Sequence, residues 1–352
     1  MPRTGLLMVS FGEPAEPTPE ATIAYLERIF LANASLDADA DDGARRRRSR
    51  ELAERRAPDL LAAYRRIGGS PLNAQAQHQA AYLHNLLVRR GLDTMVSIAM
   101  QYTPPTVDEA LNEMMVWGAE RIVAFPVYPL CGTTTTLAAL DAVAQEARRL
   151  GFAGPIRGVS GWHADSAYTT ARAAHIGREA KAAGYDLRDP DTLLYFSAHG
   201  TPLTYIAAGS LYDRYVEAHA REIAARLGAR YTIGFQNHGN RRIAWTQPDN
   251  DTHLEAVRAA RLVVEPISFL HEQSETLFEL DIDFRGKAET RGLTMFRVPV
   301  PHDDPAIVEA LADLVEPLLS ALPSSLRVCR CRPVDGTFCT NGEPAPGTTT
   351  KT

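Results

Sequence analysis

Eight short apolar runs, at 6–9, 94–100, 121–127, 155–159, 192–196, 231–235, 262–266 and 293–298, alternate along this chain with stretches whose apolar residues recur every three or four positions. The alternation constrains the fold more than any other feature. A strand buried on both faces reads as a continuous apolar run, whereas a helix packed on it shows a one-sided stripe. Repeated strand–helix–strand units predict parallel sheets with crossover helices on both faces. The helical stripes fall at 19–31, 74–90, 107–117, 168–183 and 211–227. Four runs precede residue 160 and four follow residue 190, so we expect an α/β protein of two similar lobes, each a parallel sheet of about four strands flanked by helices, with a cleft between them. The expected units are 1–160, 161–304, a closing helix at 305–322 and a cysteine-containing tail at 323–352, disordered at its Gly-, Pro- and Thr-rich end.

With 352 residues, 45% hydrophobic and 23% charged, the chain is long and apolar enough for two cores. Its net charge of -6 supplies no field that attracts nucleic acid, and no such partner is expected. The arginines at 45–48 directly follow Asp37, Asp39, Asp41 and Asp42. We read about 35–56 as a charged, mobile surface insertion, with binding of anionic lipid or an acidic partner as the other reading. The first apolar run is too short for a signal peptide and no eighteen apolar residues run together, so the expectation is a cytoplasmic protein whose membrane contact, if any, is peripheral.

In an open parallel sheet the turns after the strands emerge on one side and line a cleft. Here those turns carry Ser10-Phe11-Gly12, Met100-Gln101-Tyr102, the segment 129–136, Ser197-Ala198-His199 and the segment 236–245. His199 ends an apolar run and is followed by Gly200, which places an imidazole where chemistry usually sits. Some seventy residues later Glu275, Glu279 and Asp283 recur at intervals of four, on neighbouring turns of one helix face. Stacked like charges repel, and the arrangement points to proton abstraction beside a metal path, or to a wet helix face. His163, His219 and His253 have no such context and are expected on the surface.

These stretches resemble the ferrochelatase family, enzymes that insert ferrous iron into a porphyrin. The resemblance rests on Ile67-Gly-Gly-Ser-Pro-Leu72, Arg121-Ile-Val-Ala-Phe-Pro-Val-Tyr-Pro129, Phe196-Ser-Ala-His-Gly-Thr-Pro202 and Glu275-Thr-Leu-Phe-Glu-Leu-Asp281, in this order and spacing, within about 5–315. It implies two Rossmann-like lobes, Fe(II) and a porphyrin (protoporphyrin IX or coproporphyrin III) as substrates, release of two protons, and a place in haem biosynthesis, with a membrane surface or another haem-pathway enzyme as possible contacts. By position, His199 resembles the family histidine that accepts pyrrole protons or binds the metal, and Glu275 the glutamate facing it across the macrocycle. Glu279 and Asp283 continue the acidic metal path in a helix the family often widens by a π-type turn. Phe11, Tyr102 and Trp245 fall where relatives contact the porphyrin.

Three departures bear on the substrate. Gln101 stands where the family usually has an arginine before Tyr102. His271-Glu272-Gln273 replaces Ser-Asp-His, so that His271 is the histidine placed to reach the porphyrin region. The turn at 236–242 is altered too, and Arg241 or Arg242 is the substitute for the missing propionate partner. A porphyrin or haem carrier descended from such an enzyme, and a cobalt or nickel chelatase, are the competing readings.

Cys329, Cys331 and Cys339 crowd near the C-terminus and Cys131 lies far off. Without an export signal these are not expected to form a disulfide framework. By count four thiolates suit a 2Fe-2S cluster or zinc, with a buried core Cys131 and free tail thiols as the alternative. The family resemblance favours the cluster, since some ferrochelatases hold one through one internal and three C-terminal cysteines.

Overall fold

The computed structural model describes residues 2–33, 41–237, 243–320, 326–329 and 336–340. The expected strands form as β1 (Thr4–Ser10), β2 (Thr94–Met100), β3 (Arg121–Pro126), β4 (Ile156–Gly161), β5 (Thr192–His199), β6 (Tyr231–Gln236), β7 (Arg261–Pro266) and β8 (Thr294–Arg297). Two short strands, β9 (Arg327–Val328) and β10 (Thr337–Cys339), were not foreseen. One sheet runs β2-β1-β3-β4-β10-β9 and the other β6-β5-β7-β8. Every pairing is parallel except β9 with β10. β1 has no exposed residue, as a central strand covered on both faces requires.

The tail is therefore not separate from the first lobe. β10 pairs with β4, whose outer edge would otherwise present unpaired backbone groups, while Leu326 and Phe338 join the first core. The closing helix, Pro305–Ser320, buries Ile307, Val308, Leu311, Leu314, Val315 and Leu318 against Leu6, Met8, Val123 and Phe125, so it returns from the second lobe to the first. No described helix is long and apolar enough to cross a membrane.

The charged stretch corrects the expectation of a mobile insertion. From Asp42 it is the first half of a 26-residue helix, Asp42–Ile67, capped by the Asp41 side chain on the Ala44 amide; residues 34–40 lie outside the described ones. Ser49, Ala53 and Ala57 recur at intervals of four and are buried. Small residues at that spacing let this helix lie close on the helix Pro19–Ala32, in a core shared with Tyr25, Leu26 and Tyr102. The arginines occupy the outer face, where Arg50 pairs with Glu27 and Glu54.

Candidate active site

β5 and β6 end side by side, with His199 opposite Gln236 in the ladder. The backbone N–H of His199 donates to Ser268 Oγ at 3.0 Å, and Ser268 in turn bonds the buried Tyr212 hydroxyl at 2.8 Å. The ring is oriented by Glu275, whose Oε2 lies 2.8 Å from His199 Nδ1. Their side chains are 26% and 19% exposed, recessed but reachable. The expectation that these groups face each other across a macrocycle is thus corrected, because they touch. Glu275 engages the Nδ1 side of the imidazole.

Glu275 opens a π-helical segment, Glu275–Phe284, in which Thr276, Leu280 and Phe284 are buried. Its rotational setting is fixed from behind. Arg297, at the end of β8, binds Asp281 at 2.7 Å and Glu272 at 2.6 Å, and Glu272 also accepts from the Thr276 hydroxyl and the Val300 amide. The opposite side of the segment turns its acids toward His199. Gln236 Nε2 donates both to the Glu275 carbonyl, at 3.0 Å, and to Glu279 Oε2, at 3.1 Å, while Gln236 Oε1 accepts from Ser197. Asp283 is exposed at the far end.

The electrostatics follow from this crowding. Burial acts to lower the pKa of His199, but the Glu275 carboxylate bonded to it and the nearby Glu279 outweigh burial and raise it. Glu279, half-buried and beside the Glu275 charge, is pushed up to about 8, first by its desolvation, despite its bond from Gln236 and the attraction of His199 and Arg56. Near neutral pH the cluster therefore holds a proton that ordinary carboxylates would release.

In the first lobe an aromatic cluster reaches the neighbourhood of Glu275, whose charge acts on Tyr25. Phe11 is partly exposed, its ring 4.7 Å from Tyr102 and 6.4 Å from Tyr25. Tyr102 is only 5% exposed and its hydroxyl is pushed up to about 12, first by burial, so it backs Phe11 and offers no open face. Burial also raises the Tyr25 and Tyr64 hydroxyls, and the charges of Glu13 and Glu275 raise them further, which places both near the acid pair. Gln101 accepts a 2.5 Å bond from the Tyr128 hydroxyl. Trp245 is partly buried in a segment that bridges Pro202, three residues past His199.

Some expected residues are elsewhere. His271 is buried, with Nε2 3.1 Å from Gln79 Oε1, and burial lowers its pKa to about 3, so it is a neutral structural histidine and not a porphyrin contact. His163 and His219 are buried, not on the surface; His219 stacks on Tyr168, and the His163 ring lies tilted against Tyr215. Arg241, Arg242 and Cys331 lie outside the described residues. Among the described residues, no three His, Cys, Asp or Glu side chains converge as a metal-ligand set. Ser268, Tyr212 and Glu13 were not expected at the site, and Gln236 was expected only as the start of a cleft-lining turn. Gln236 alone carried a signal, since it ends an apolar run, as His199 does.

The tail brings Cys329 and Cys339 to the end of the first sheet. Cys339 pairs with Gly161 of β4 and with Arg327 of β9, and the Cys329 amide donates to the Thr337 carbonyl at 2.8 Å, which sets both cysteines on one face of the β9–β10 pair. Both are buried, and Cys131 is partly so. The amides of Trp162 and His163, just after Gly161, donate to the Pro129 carbonyl, two residues before Cys131.

A family model described as ferrochelatase matches residues 3–319. The chain belongs to the ferrochelatase family. A ferrochelatase from Synechococcus sp. strain RCC307 is 36% identical over 270 residues, covering 73% of this chain and 68% of that protein. Another, from Synechococcus sp. strain JA-3-3Ab, is 32% identical over 337 residues, covering 92% and 96%. A solved structure of SirB from Bacillus subtilis with Fe3+ aligns over 90% of this chain and 96% of its own, with TM-score 0.49 and 10% identity.

Proposed function

We propose that this chain inserts Fe(II) into a dicarboxylic or tetracarboxylic porphyrin, protoporphyrin IX or coproporphyrin III, in haem biosynthesis. The reading is carried by the recessed 2.8 Å His199–Glu275 pair in a member of this family. Free porphyrin carries two pyrrole N–H protons, and both leave as one divalent ion enters, so the core stays neutral. His199 Nε2 takes a pyrrole proton while Nδ1 is held by Glu275, which stabilises the imidazolium that forms. Glu279, which keeps a proton until about pH 8, exchanges protons with the pair, and the exposed Asp283 end is the route for protons out and the ion in. Phe11, backed by Tyr102, packs on the macrocycle and uses its binding energy to hold the ring bent toward the pair.

Gln101 offers a neutral amide in place of a cation, its Oε1 held by the Tyr128 hydroxyl, so a propionate meets Gln101 Nε2 by hydrogen bonding alone. Anaerobic turnover of both porphyrins with Fe(II), side by side, tests the function. Metallated product from at least one supports it. A protein that binds porphyrin and leaves it metal-free is a carrier, and one that accepts only cobalt or nickel is a different chelatase.

The tail residues suit a 2Fe-2S cluster. Cys329 and Cys339 share one face, and β4 and the Pro129 carbonyl bring them to the end of the sheet that carries Cys131. Cys131, Cys329, Cys331 and Cys339 would hold it, and the cluster would supply a covalent tie between tail and lobe, outside the proton-transfer residues. Protein purified without oxygen is expected to show visible absorption from the cluster. A colourless, iron-free protein with full activity would reject it.

A further inference from the structure

The segment that leads into the acidic helix is bonded to the opposite lobe at three of its four residues. His271 Nε2 lies 3.1 Å from Gln79 Oε1, and since Gln79 Nε2 donates to the His302 carbonyl, the histidine is the donor. The Glu272 amide donates to Gln75 Oε1 at 2.7 Å. Ser274 donates twice to Glu13, from its hydroxyl at 2.5 Å and from its amide at 3.2 Å. Gln75 and Gln79 lie one turn apart on the helix Leu72–Arg89, and Glu13 follows β1. All three partners belong to the first lobe.

Glu13 is the most telling of these. It is 4% exposed, a carboxyl buried where only bonded carboxyls persist. Its own backbone is pinned as well, the amide to Asn73 Oδ1 at 3.0 Å and the carbonyl from Asn73 Nδ2 at 2.8 Å. Burial raises its pKa, opposed by the Ser274, Ser70 and Tyr64 donors around it. Phe11 is two residues from Glu13, and Glu275 is one residue from Ser274. The Glu13–Ser274 contact thus ties the chain beside Phe11 to the chain beside Glu275.

We propose that Glu13 is a positioning residue, which through Ser274 sets the position of Glu275 and so holds it on His199 Nδ1. Gln75 and Gln79 complete the seam, and the two lobes meet there as a fixed spacer. The first turn of the π-helical segment takes its position from the other lobe. This inference rests on the proposed proton transfer for its effect on rate, and on geometry alone for its effect on His199.

The test compares full-length wild type with Glu13→Ala, Glu13→Gln, Ser274→Ala and the Glu13→Ala/Ser274→Ala double variant. Fe(II) insertion is measured anaerobically, porphyrin Kd by fluorescence quenching, and the His199 imidazole pKa by NMR. Glu13→Ala is expected to lower kcat at least tenfold with Kd within twofold, Glu13→Gln to recover part of the loss, and the double variant to be no slower than the slower single, since both remove one contact. The His199 pKa is expected to fall by about one unit as Glu275 moves off. A Glu13→Ala kcat within twofold of wild type, or losses that add in the double variant, would overturn the proposal. If Glu13→Ala does not fold, Glu13→Gln decides, an unchanged kcat counting against. If wild type moves no metal into porphyrin, the functional reading fails by itself, and an unshifted His199 pKa in Glu13→Gln would then sink the seam independently.

Discussion

Replacing Glu279 with glutamine removes a proton-binding group and keeps its size and its place beside Gln236. In the folded protein burial and the Glu275 charge push Glu279 from 4.5 to about 8. At roughly 1.4 kcal/mol per pH unit, ionising it costs on the order of 4–5 kcal/mol more in the folded than in the unfolded chain. Relaxation of the coupled His199–Glu275 pair and the remaining solvent access reduce this to about 2–3 kcal/mol. The sign follows from proton counts. Between pH about 4.5 and about 8 the folded state keeps a proton that the unfolded state has released, so stability falls as pH rises through that window. His199 acts in the same direction, since its raised pKa gives stability present at low pH and lost as pH passes the folded value. Urea denaturation at pH 5, 7 and 9 reads the effect. From pH 5 to pH 9 wild type is expected to lose about 2–3 kcal/mol relative to Glu279→Gln, with equal m-values. Parallel pH dependences for the two proteins would refute the reasoning, because Glu279 would then ionise as an ordinary carboxylate.

Gly200→Ala tests how tightly the histidine strand end is built. A Cβ there would meet Asn237 Oδ1 at 2.1 Å and the Gln236 carbonyl at 2.6 Å, so the ends of β5 and β6 must part; insertion is expected to slow at least tenfold, with a stability loss of about 1–3 kcal/mol by urea denaturation. Ala53→Leu tests the helix that replaces the expected mobile insertion. Ala53 is fully buried, and overpacking there is expected to cost about 1–3 kcal/mol, whereas an exposed mobile segment would show a change within about 0.5 kcal/mol.

What was legible in the sequence was whatever depends on one segment at a time. The eight strands of the two lobes were visible because each is a buried apolar run, and His199 because it ends one of them. The helix Asp42–Ile67 was hidden because its contact face is made of Ser49, Ala53 and Ala57, and small residues leave no apolar stripe beside so many arginines. β9 and β10, two and three residues long, are too short for any periodicity to register. The direct His199–Glu275 contact and the Glu13–Ser274 bond, the latter spanning 261 positions, arise only when separate elements meet. His271 illustrates the opposite error, a residue drawn toward the site by its type and spacing that the fold commits to Gln79.

The proposed function depends on His199 and Glu275 acting together on protons of a bound porphyrin. Single-turnover Fe(II) insertion into enzyme-bound porphyrin, followed anaerobically by absorbance, measures it with binding already complete. His199→Ala and Glu275→Gln are each expected to keep porphyrin affinity within about threefold and to lower the insertion rate by at least about a hundredfold, the range for loss of a general base. Insertion at the wild-type rate in either variant, with porphyrin bound, would contradict it.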